Sequence, residues 1–277
     1  MELNYPSIGF IGAGNMATAL IRGILATGYP EDKIVACDPS VEQLDRLADT
    51  IISHKITTSL DSSAVNHCDM VVLAVKPQIL PSVAKQLSSH IGSDTLVVSV
   101  AAGITLELLQ SYLDGRPAVR SMPNTPALIG EGASGLFASK NTSQQQKDSV
   151  TEVFKSVGIV EWLGSETDLD LVTAVSGSGP AYFFLFMEAM VEAAVDMGLD
   201  RETAHRLCVQ TCRGASTIAT QNPDIAELRK RVTSPNGTTE KAISAFENGD
   251  LRALVKTAMQ DCADRSVEMA QEVANKD

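Results

Sequence analysis

Ser7-Ile8-Gly9-Phe10-Ile11-Gly12-Ala13-Gly14-Asn15-Met16-Ala17-Thr18-Ala19-Leu20-Ile21-Arg22 decides the fold. Ile8, Phe10 and Ile11 form an apolar run of strand length. Gly12 and Gly14 break it, and Met16, Leu20 and Ile24 resume at helical spacing. The stretch reads as strand, tight turn and helix. A nucleotide pyrophosphate needs that order: Gly12 permits the turn, Gly14 lets the backbone approach the phosphates, and the small Ala17 lets helix and strand pack closely. The helix start adds free N–H donors and the positive end of a dipole. Gly12, Ala13, Gly14, Asn15 and Met16 are therefore the candidate cofactor contacts. A tight turn that holds nothing is the competing reading of Gly-x-Gly-x-x-Ala, and the flanking strand and helix favour the dinucleotide.

Beyond the first helix, Gly28-Tyr29-Pro30 ends it and Lys33 to Cys37 reads as a second strand. Asp38 stands at its end, roughly twenty residues past the glycines, where a Rossmann unit commonly sets an acidic group on the adenosine ribose. Beside Pro39, and ahead of a helix from Val41, Asp38 reads equally well as a turn or capping residue. Ile56 and Thr57 suggest a short third strand. Asp69 to Val75 and Thr95 to Val100 are continuous apolar runs of the kind buried on both faces of a parallel sheet. The second opens into Ala101-Ala102-Gly103, small residues that leave room for a flat ring at the carboxyl edge. Thr105 suits the cap of a helix carrying Leu106, Leu108, Leu109 and Leu113. Ala118 to Ser121 reads as a strand closed by a rigid two-proline loop, Met122 to Pro126. Ser143 to Val157 reads as a helix, and Ile159 to Leu163 as the last strand.

The 277 residues exceed one typical domain of about 100 to 150 residues, so two domains or one large one are expected. A 44% hydrophobic share beside 20% charged residues suits a globular protein and argues against disorder. The net charge of −12 disfavours nucleic acid and anionic membranes as partners, and requires any anionic ligand to be captured locally. No apolar run approaches the ~20 residues of a membrane span, and the first residues lack a basic-then-apolar signal pattern. A cytoplasmic location is expected. Cys37, Cys68, Cys208, Cys212 and Cys262 form no Cys-x-x-Cys, and His54, His67, His90 and His205 are scattered. Reduced thiols and no metal site are the reading.

From about Glu166 strand signals vanish and helical patterns run almost to the end. Pro180 suits a first helical position, and Ala181 to Val195 is apolar on nearly every face. Such a helix must be buried all round, most easily by a partner subunit in an intertwined dimer. Asp200 to Thr220 and Ile225 to Val232 read as the next helices. Thr233-Ser234-Pro235-Asn236-Gly237-Thr238-Thr239 interrupts, before helices over Glu240 to Phe246 and Asp250 to Val273. The interruption reads as a second anion cradle, with Ser234, Thr238 and Thr239 adding hydroxyls to free N–H groups. It reads alternatively as an N-cap with Thr239 at its head.

Four segments together resemble the pyrroline-5-carboxylate reductase family: Phe10 to Ala17; Leu73-Ala74-Val75-Lys76-Pro77; Met122-Pro123-Asn124-Thr125-Pro126; and Ser176-Gly177-Ser178-Gly179-Pro180-Ala181-Tyr182 with Thr233 to Thr239. The resemblance implies an α/β fold: an N-terminal Rossmann-type, mostly parallel, doubly wound sheet over residues 1–165 and a C-terminal all-α dimerisation and substrate domain over 166–277. It implies hydride transfer from NADPH or NADH to the C=N carbon of 1-pyrroline-5-carboxylate, giving proline, in a homodimer with intertwined helices, and leaves assembly into a higher homo-oligomer open. By the same resemblance Ala74, Val75, Lys76, Pro77 and Ala102 line the nicotinamide half of the cofactor. Ser234, Gly237, Thr238 and Thr239, supplied by the partner subunit, would hold the substrate. The Thr239 hydroxyl falls near the ring nitrogen as the catalytic group, and Glu166 closes the proline-side pocket.

Hydride attack on a cyclic imine needs only a donor at nitrogen and close placement of two carbons, which suits a site without a histidine or lysine acid. The family's usual glycine pair in the substrate turn is Asn236-Gly237 here, and asparagine tolerates a left-handed backbone. Asp38 and Asp61 stand where the family often has small or amide residues. Both would repel a 2′-phosphate, so the sequence leans toward NADH or dual use while the family suggests NADPH; Arg231 could offset the repulsion from the other subunit. A 3-hydroxyacid dehydrogenase shares the layout but would need a lysine that Ala181 to Val195 lacks. A non-catalytic NAD(P)-sensing protein would have no use for the second anion site.

Overall fold

A computed structural model of the chain describes residues 5–47, 56–57, 63–222 and 224–275. They fall into two compact units, Met1–Ser178 with Cys262–Asp277, and Gly179–Asp261. The units part at Ser178/Gly179. The physical reason is local: helix α7 (Asp168–Val172) packs on the last strands of the sheet, and the end of the chain returns to the same unit.

The first unit is built on one eight-stranded sheet in the order β3-β2-β1-β4-β5-β6-β7-β8. The strands are β1 (Ile8–Ile11), β2 (Ile34–Cys37), β3 (Ile56–Thr57), β4 (Met70–Leu73), β5 (Leu96–Ser99), β6 (Ala118–Met122), β7 (Gly132–Ala138) and β8 (Gly158–Trp162). All neighbours pair in parallel except β6 and β7. Strand β7 has no counterpart in the expectations from sequence, because Gly132-Ala-Ser-Gly-Leu-Phe-Ala is small-residue chain without a β-branched pattern. It pairs with β6 from Val119 opposite Ala138 to Met122 opposite Gly135.

Period-two alternation sorts the strand side chains into two layers. Ile8, Phe10, Met70, Val72 and Val98 meet helix α1 (Asn15–Ala26) through Leu20, Ile21 and Ile24, and helix α6 (Gln144–Lys155) through Val150, Val153 and Phe154. Ile11, Val35, Val71, Leu73 and Val97 face the other way, onto α4 (Leu80–Ser88) and α5 (Leu106–Tyr112) through Leu80, Leu87 and Leu109. Both faces of the sheet are covered by helices, which is why the central strands are apolar throughout. Short helices α2 (Val41–Asp45) and α3 (Ser63–Asn66) complete the connections around β3.

The second unit is helical. It contains α8 (Gly179–Asp196), α9 (Arg201–Thr220), α10 (Ile225–Arg231), α11 (Thr238–Asn248) and the first part of α12 (Leu251–Ala274). Asp200 caps α9 by accepting from the Thr203 N–H at 2.9 Å, and Asp224 caps α10 through Glu227. Its own apolar cluster is small, centred on Val191, Ala204 and Cys208. Phe183, Phe184 and Leu185 on α8 are each more than 60% exposed. Helix continues from Asp168 to Asp196, long and apolar enough by length and composition to cross a membrane. A π-type turn at Thr173–Gly177 and a bend at Ser178 lie between α7 and α8, and Glu188 and Glu192 interrupt the apolar residues of α8.

Candidate functional site

The residues singled out from the first motif converge on one edge of the sheet. Strand β1 ends at Ile11, and Gly12 turns with φ of +97°. A Cβ there would lie 2.5 Å from the Ala74 carbonyl oxygen just past β4, so only glycine fits between the two strand ends. Gly14 caps α1 in an extended conformation with no side chain closing the helix, and a Cβ on it would meet nothing within 4 Å. Protein packing therefore does not demand glycine at 14; the backbone is left open to whatever approaches the helix start. Asn15 is exposed, Met16 is partly buried against the core and Ala17 is fully buried.

Asp38, at the end of β2, is a turn residue that also reaches back to the glycine-rich turn. Its Oδ2 accepts from the Ala13 N–H and its Oδ1 from the Ser40 N–H, each at 2.8 Å. The second bond is the turn contact; the first ties the glycine-rich turn to β2. Helix α2 is capped by Ser40 instead, whose hydroxyl accepts from Gln43. Asp61 lies outside the described residues.

Past β4, Ala74 and Val75 are half-buried and Lys76 is exposed before α4 begins. Ala102 is half-buried in the turn after β5, where the Ser99 hydroxyl accepts from the Ala101 N–H at 3.2 Å. Because the order runs β2-β1-β4-β5, Asp38, Gly12 to Gly14, Ala74 to Pro77 and Ala102 line a single carboxyl edge. The order reverses between β1 and β4, and that is where open α/β sheets form their ligand crevice.

Glu166 is held within the first unit. Its Oε1 accepts from the Arg120 guanidinium at 2.5 Å and from the Leu106 N–H at the start of α5 at 2.6 Å. Its Oε2 takes part in neither bond. The Arg120 partner was not anticipated from sequence, since the two are 46 positions apart.

Ser234, Gly237, Thr238 and Thr239 belong to the second unit and are described there alone. Asn236 adopts φ of +60°, the left-handed state expected of it, and the Gly237 N–H closes the turn onto the Ser234 carbonyl at 3.0 Å. A Cβ on Gly237 would stand 2.9 Å from that carbonyl oxygen. Helix α11 starts earlier than expected: Gly237 is its N-cap, not Thr239, and no side chain caps it. Thr238 and Thr239 are thus the first helical residues, beside the free N–H groups of the first turn. The Glu240 carboxylate folds back onto the Asn236 N–H at 2.8 Å. In contrast α2, α5, α6, α9 and α10 each carry a side-chain cap.

Among the described residues no group of His, Cys, Asp and Glu could hold a metal ion. Burial, and secondarily the charge of Asp38, pushes the Cys37 thiol up to about 11. Cys37 is a buried apolar residue at physiological pH.

Comparison with known proteins adds the following. A family profile described as pyrroline-5-carboxylate reductase dimerisation matches residues 166–269, and one described as NADP oxidoreductase, coenzyme F420-dependent, matches residues 7–103. The chain is 46% identical over 273 residues to a pyrroline-5-carboxylate reductase of Pseudomonas aeruginosa, covering 98% of this chain and 99% of that protein. It is also similar to the solved structure of a pyrroline-5-carboxylate reductase from Coxiella burnetii, with a TM-score of 0.90 and 38% identity, covering 96% of this chain and 99% of that one. The Plasmodium falciparum pyrroline carboxylate reductase, solved with NADP bound, matches with a TM-score of 0.82 and 30% identity over 96% of this chain and 98% of that one.

Proposed function

The chain belongs to the pyrroline-5-carboxylate reductase family, and on that premise we propose that it reduces 1-pyrroline-5-carboxylate to L-proline, the last step of proline biosynthesis, with a reduced nicotinamide dinucleotide as donor. The observation that carries this reading is the pair of helix starts left without a side-chain cap at glycines, Gly14 of α1 and Gly237 of α11. The first suits a pyrophosphate and the second a carboxylate.

When bound, the dinucleotide supplies a hydride to the C=N carbon. The chain's own residues supply the rest. Gly12, Ala13, Gly14, Asn15 and Met16 receive the phosphates, and Ala74, Val75, Lys76, Pro77 and Ala102 give the ring end a narrow, small-residue seat. The N–H groups of Thr238 and Thr239, with the Ser234 hydroxyl, hold the substrate carboxylate. The Thr239 hydroxyl donates a hydrogen bond to the ring nitrogen, which takes up one proton from solvent through that hydroxyl as the hydride arrives, so that negative charge does not accumulate there. Glu166 borders the proline side through Oε2. Fixing the two reacting carbons about 3 to 3.5 Å apart accounts for most of the acceleration, because the imine needs no covalent help.

Asp38 is read as the adenosine-end selector. Its carboxylate would repel a 2′-phosphate carrying nearly two negative charges, so the reading is NADH or dual use, with Arg231 as the cation able to offset the repulsion from a partner subunit. Asp61 is proposed to act with it. Steady-state kinetics with both dinucleotides test this; a hundredfold preference for NADPH would overturn it.

The exposed Phe183, Phe184 and Leu185 of α8 are read as the surface buried by a second copy in an intertwined homodimer. Residues 166–277 form the dimerisation and substrate part on this reading. Neither a bilayer nor nucleic acid is needed to cover them, and the enzyme is assigned to the cytoplasm. Analytical ultracentrifugation is expected to give a dimer or a multiple of it, and a compact monomer at micromolar concentration would remove the dimer. Loss of nicotinamide absorbance on adding pyrroline-5-carboxylate, with proline as product, tests the activity itself; no turnover with either dinucleotide would sink it.

A further inference from the structure

We propose that Asn124 is a positioning residue for hydride transfer, anchoring the segment that follows β6 to the π-type turn of residues 173–177; this rests on the reductase reading above. Asn124 is only 8% exposed and spends both ends of its amide within the first unit. Its Nδ2 donates to the Ser176 carbonyl at 3.0 Å, and its Oδ1 accepts from the Ala133 N–H at 2.9 Å, where β7 begins.

The Ser176 carbonyl has a chemical reason to seek an outside donor. In an α-helix it would accept from the N–H four residues on, and that residue is Pro180, which has none. The turn also departs from α geometry, with the Ser178 N–H reaching back to the Thr173 carbonyl at 2.8 Å. Turns of this kind concentrate at functional sites. Next to this bond Met122 lies against Gly177, at a place where a Cβ would stand 2.5 Å from the methionine methyl. Residues on either flank of the turn are held as well. The Ser266 hydroxyl donates to the Asp170 carboxylate at 2.6 Å, and the Cys262 thiol donates to the Ser178 hydroxyl at 3.2 Å.

The anchored segment borders the proposed ring seat. Ser99 pairs with Arg120 across β5 and β6, so Met122 stands level with Ala101, immediately before Ala102. The bonds of Asn124 run to Ser176 and Ala133 and not to that seat. Its effect passes through Met122 and Pro123, whose backbone it holds beside the carboxyl edge. An error of about 1 Å in such a wall is enough to slow a reaction about a hundredfold without loosening binding.

The test compares wild type with Asn124→Asp, which keeps an oxygen for the Ala133 N–H and sets a second oxygen against the Ser176 carbonyl. Turnover is expected to fall tenfold or more, with KM for dinucleotide and for pyrroline-5-carboxylate within threefold of wild type. A kcat within twofold of wild type would overturn the proposal. The double variant Asn124→Asp, Pro180→Ala restores an N–H for Ser176 and keeps the comparison available should the single variant fold poorly. Measured against Pro180→Ala alone, its melting midpoint is expected to recover while kcat stays low; recovery of both would show a merely structural role and overturn the proposal. An inactive wild type would instead sink the reductase reading, which separates the two failures.

Discussion

The Ala13 N–H donates to Oδ2 of Asp38 at 2.8 Å, joining the glycine-rich turn after β1 to the end of β2. The carboxylate proposed for the adenosine end therefore also shapes the turn proposed for the phosphates. Asp38→Asn removes the charge and leaves one oxygen to serve two N–H donors. Affinity for both dinucleotides is expected to fall, while the ratio of kcat/KM for NADPH over NADH rises about tenfold, or about 1.4 kcal/mol. Initial rates with both dinucleotides measure this, and an unchanged ratio would remove Asp38 from cofactor selection.

The strand, turn and helix around Gly12 were legible because their signal is local. Gly12 and Gly14 follow an apolar strand and precede a helix within one short stretch, and a backbone angle near +97° at Gly12 is what a glycine in that turn predicts. The buried strands Met70–Leu73 and Leu96–Ser99 were legible from apolar continuity. The features that escaped depend on partners distant in sequence. β7 exists because β6 offers an edge, not because its own residues favour a strand. Glu166 gives no hint of Arg120, and Asn124 gives none of Ser176. The start of α11 was misplaced toward Thr239 because hydroxyls are good caps, whereas the tight approach of Gly237 to Ser234 settles the turn two residues earlier.

Arg120 and Glu166 form a pair whose side chains are 11% and 29% exposed. Removing one partner of a fully buried pair costs about 3 to 5 kcal/mol. Partial exposure of Glu166 lowers the expectation for Glu166→Ala to about 2 to 3 kcal/mol by the same reasoning, since Leu106 also loses its acceptor. Glu166→Gln keeps a carbonyl oxygen for both donors and should lose about 1 kcal/mol. Urea unfolding gives the stabilities. A rise in KM for pyrroline-5-carboxylate in Glu166→Gln, in a protein still fully folded at the assay temperature, would assign the carboxylate to substrate; unchanged KM would leave it a structural clamp.

Cys37 carries a pH prediction. Its thiol is raised in the folded chain to about 11 from an ordinary value of 9.0, first by burial and then by the Asp38 charge. A raised folded value means the folded state holds the proton more tightly. The associated stability is complete below pH 9 and is lost as pH rises toward 11, by about 2 to 3 kcal/mol in all. Tyr29, also raised by burial, acts in the same direction, so the comparison is made between wild type and Cys37→Ala. The difference in unfolding free energy between the two should shrink or reverse across that window. A constant difference from pH 8 to 11 would show that Cys37 does not titrate in this way.

Thr239 is the second residue of α11, in a first turn that no side chain caps. Its hydroxyl is assigned to the imine nitrogen, where a hydrogen bond to a group of changing charge is worth about 1.5 to 3 kcal/mol. Thr239→Ala should therefore lower kcat by about 10- to 100-fold, with the dinucleotide KM unchanged, because the glycine-rich turn of α1 is untouched. Thr239→Ser keeps the donor and should stay within a few-fold of wild type. Thr239→Val keeps the shape, loses the donor and should resemble alanine. A kcat for Thr239→Ala within twofold of wild type, about 0.4 kcal/mol, would leave the hydroxyl without a role in the transition state. The nitrogen would then draw its donor from water or from another side chain, and the free N–H groups at the start of α11 would remain only as the carboxylate's seat.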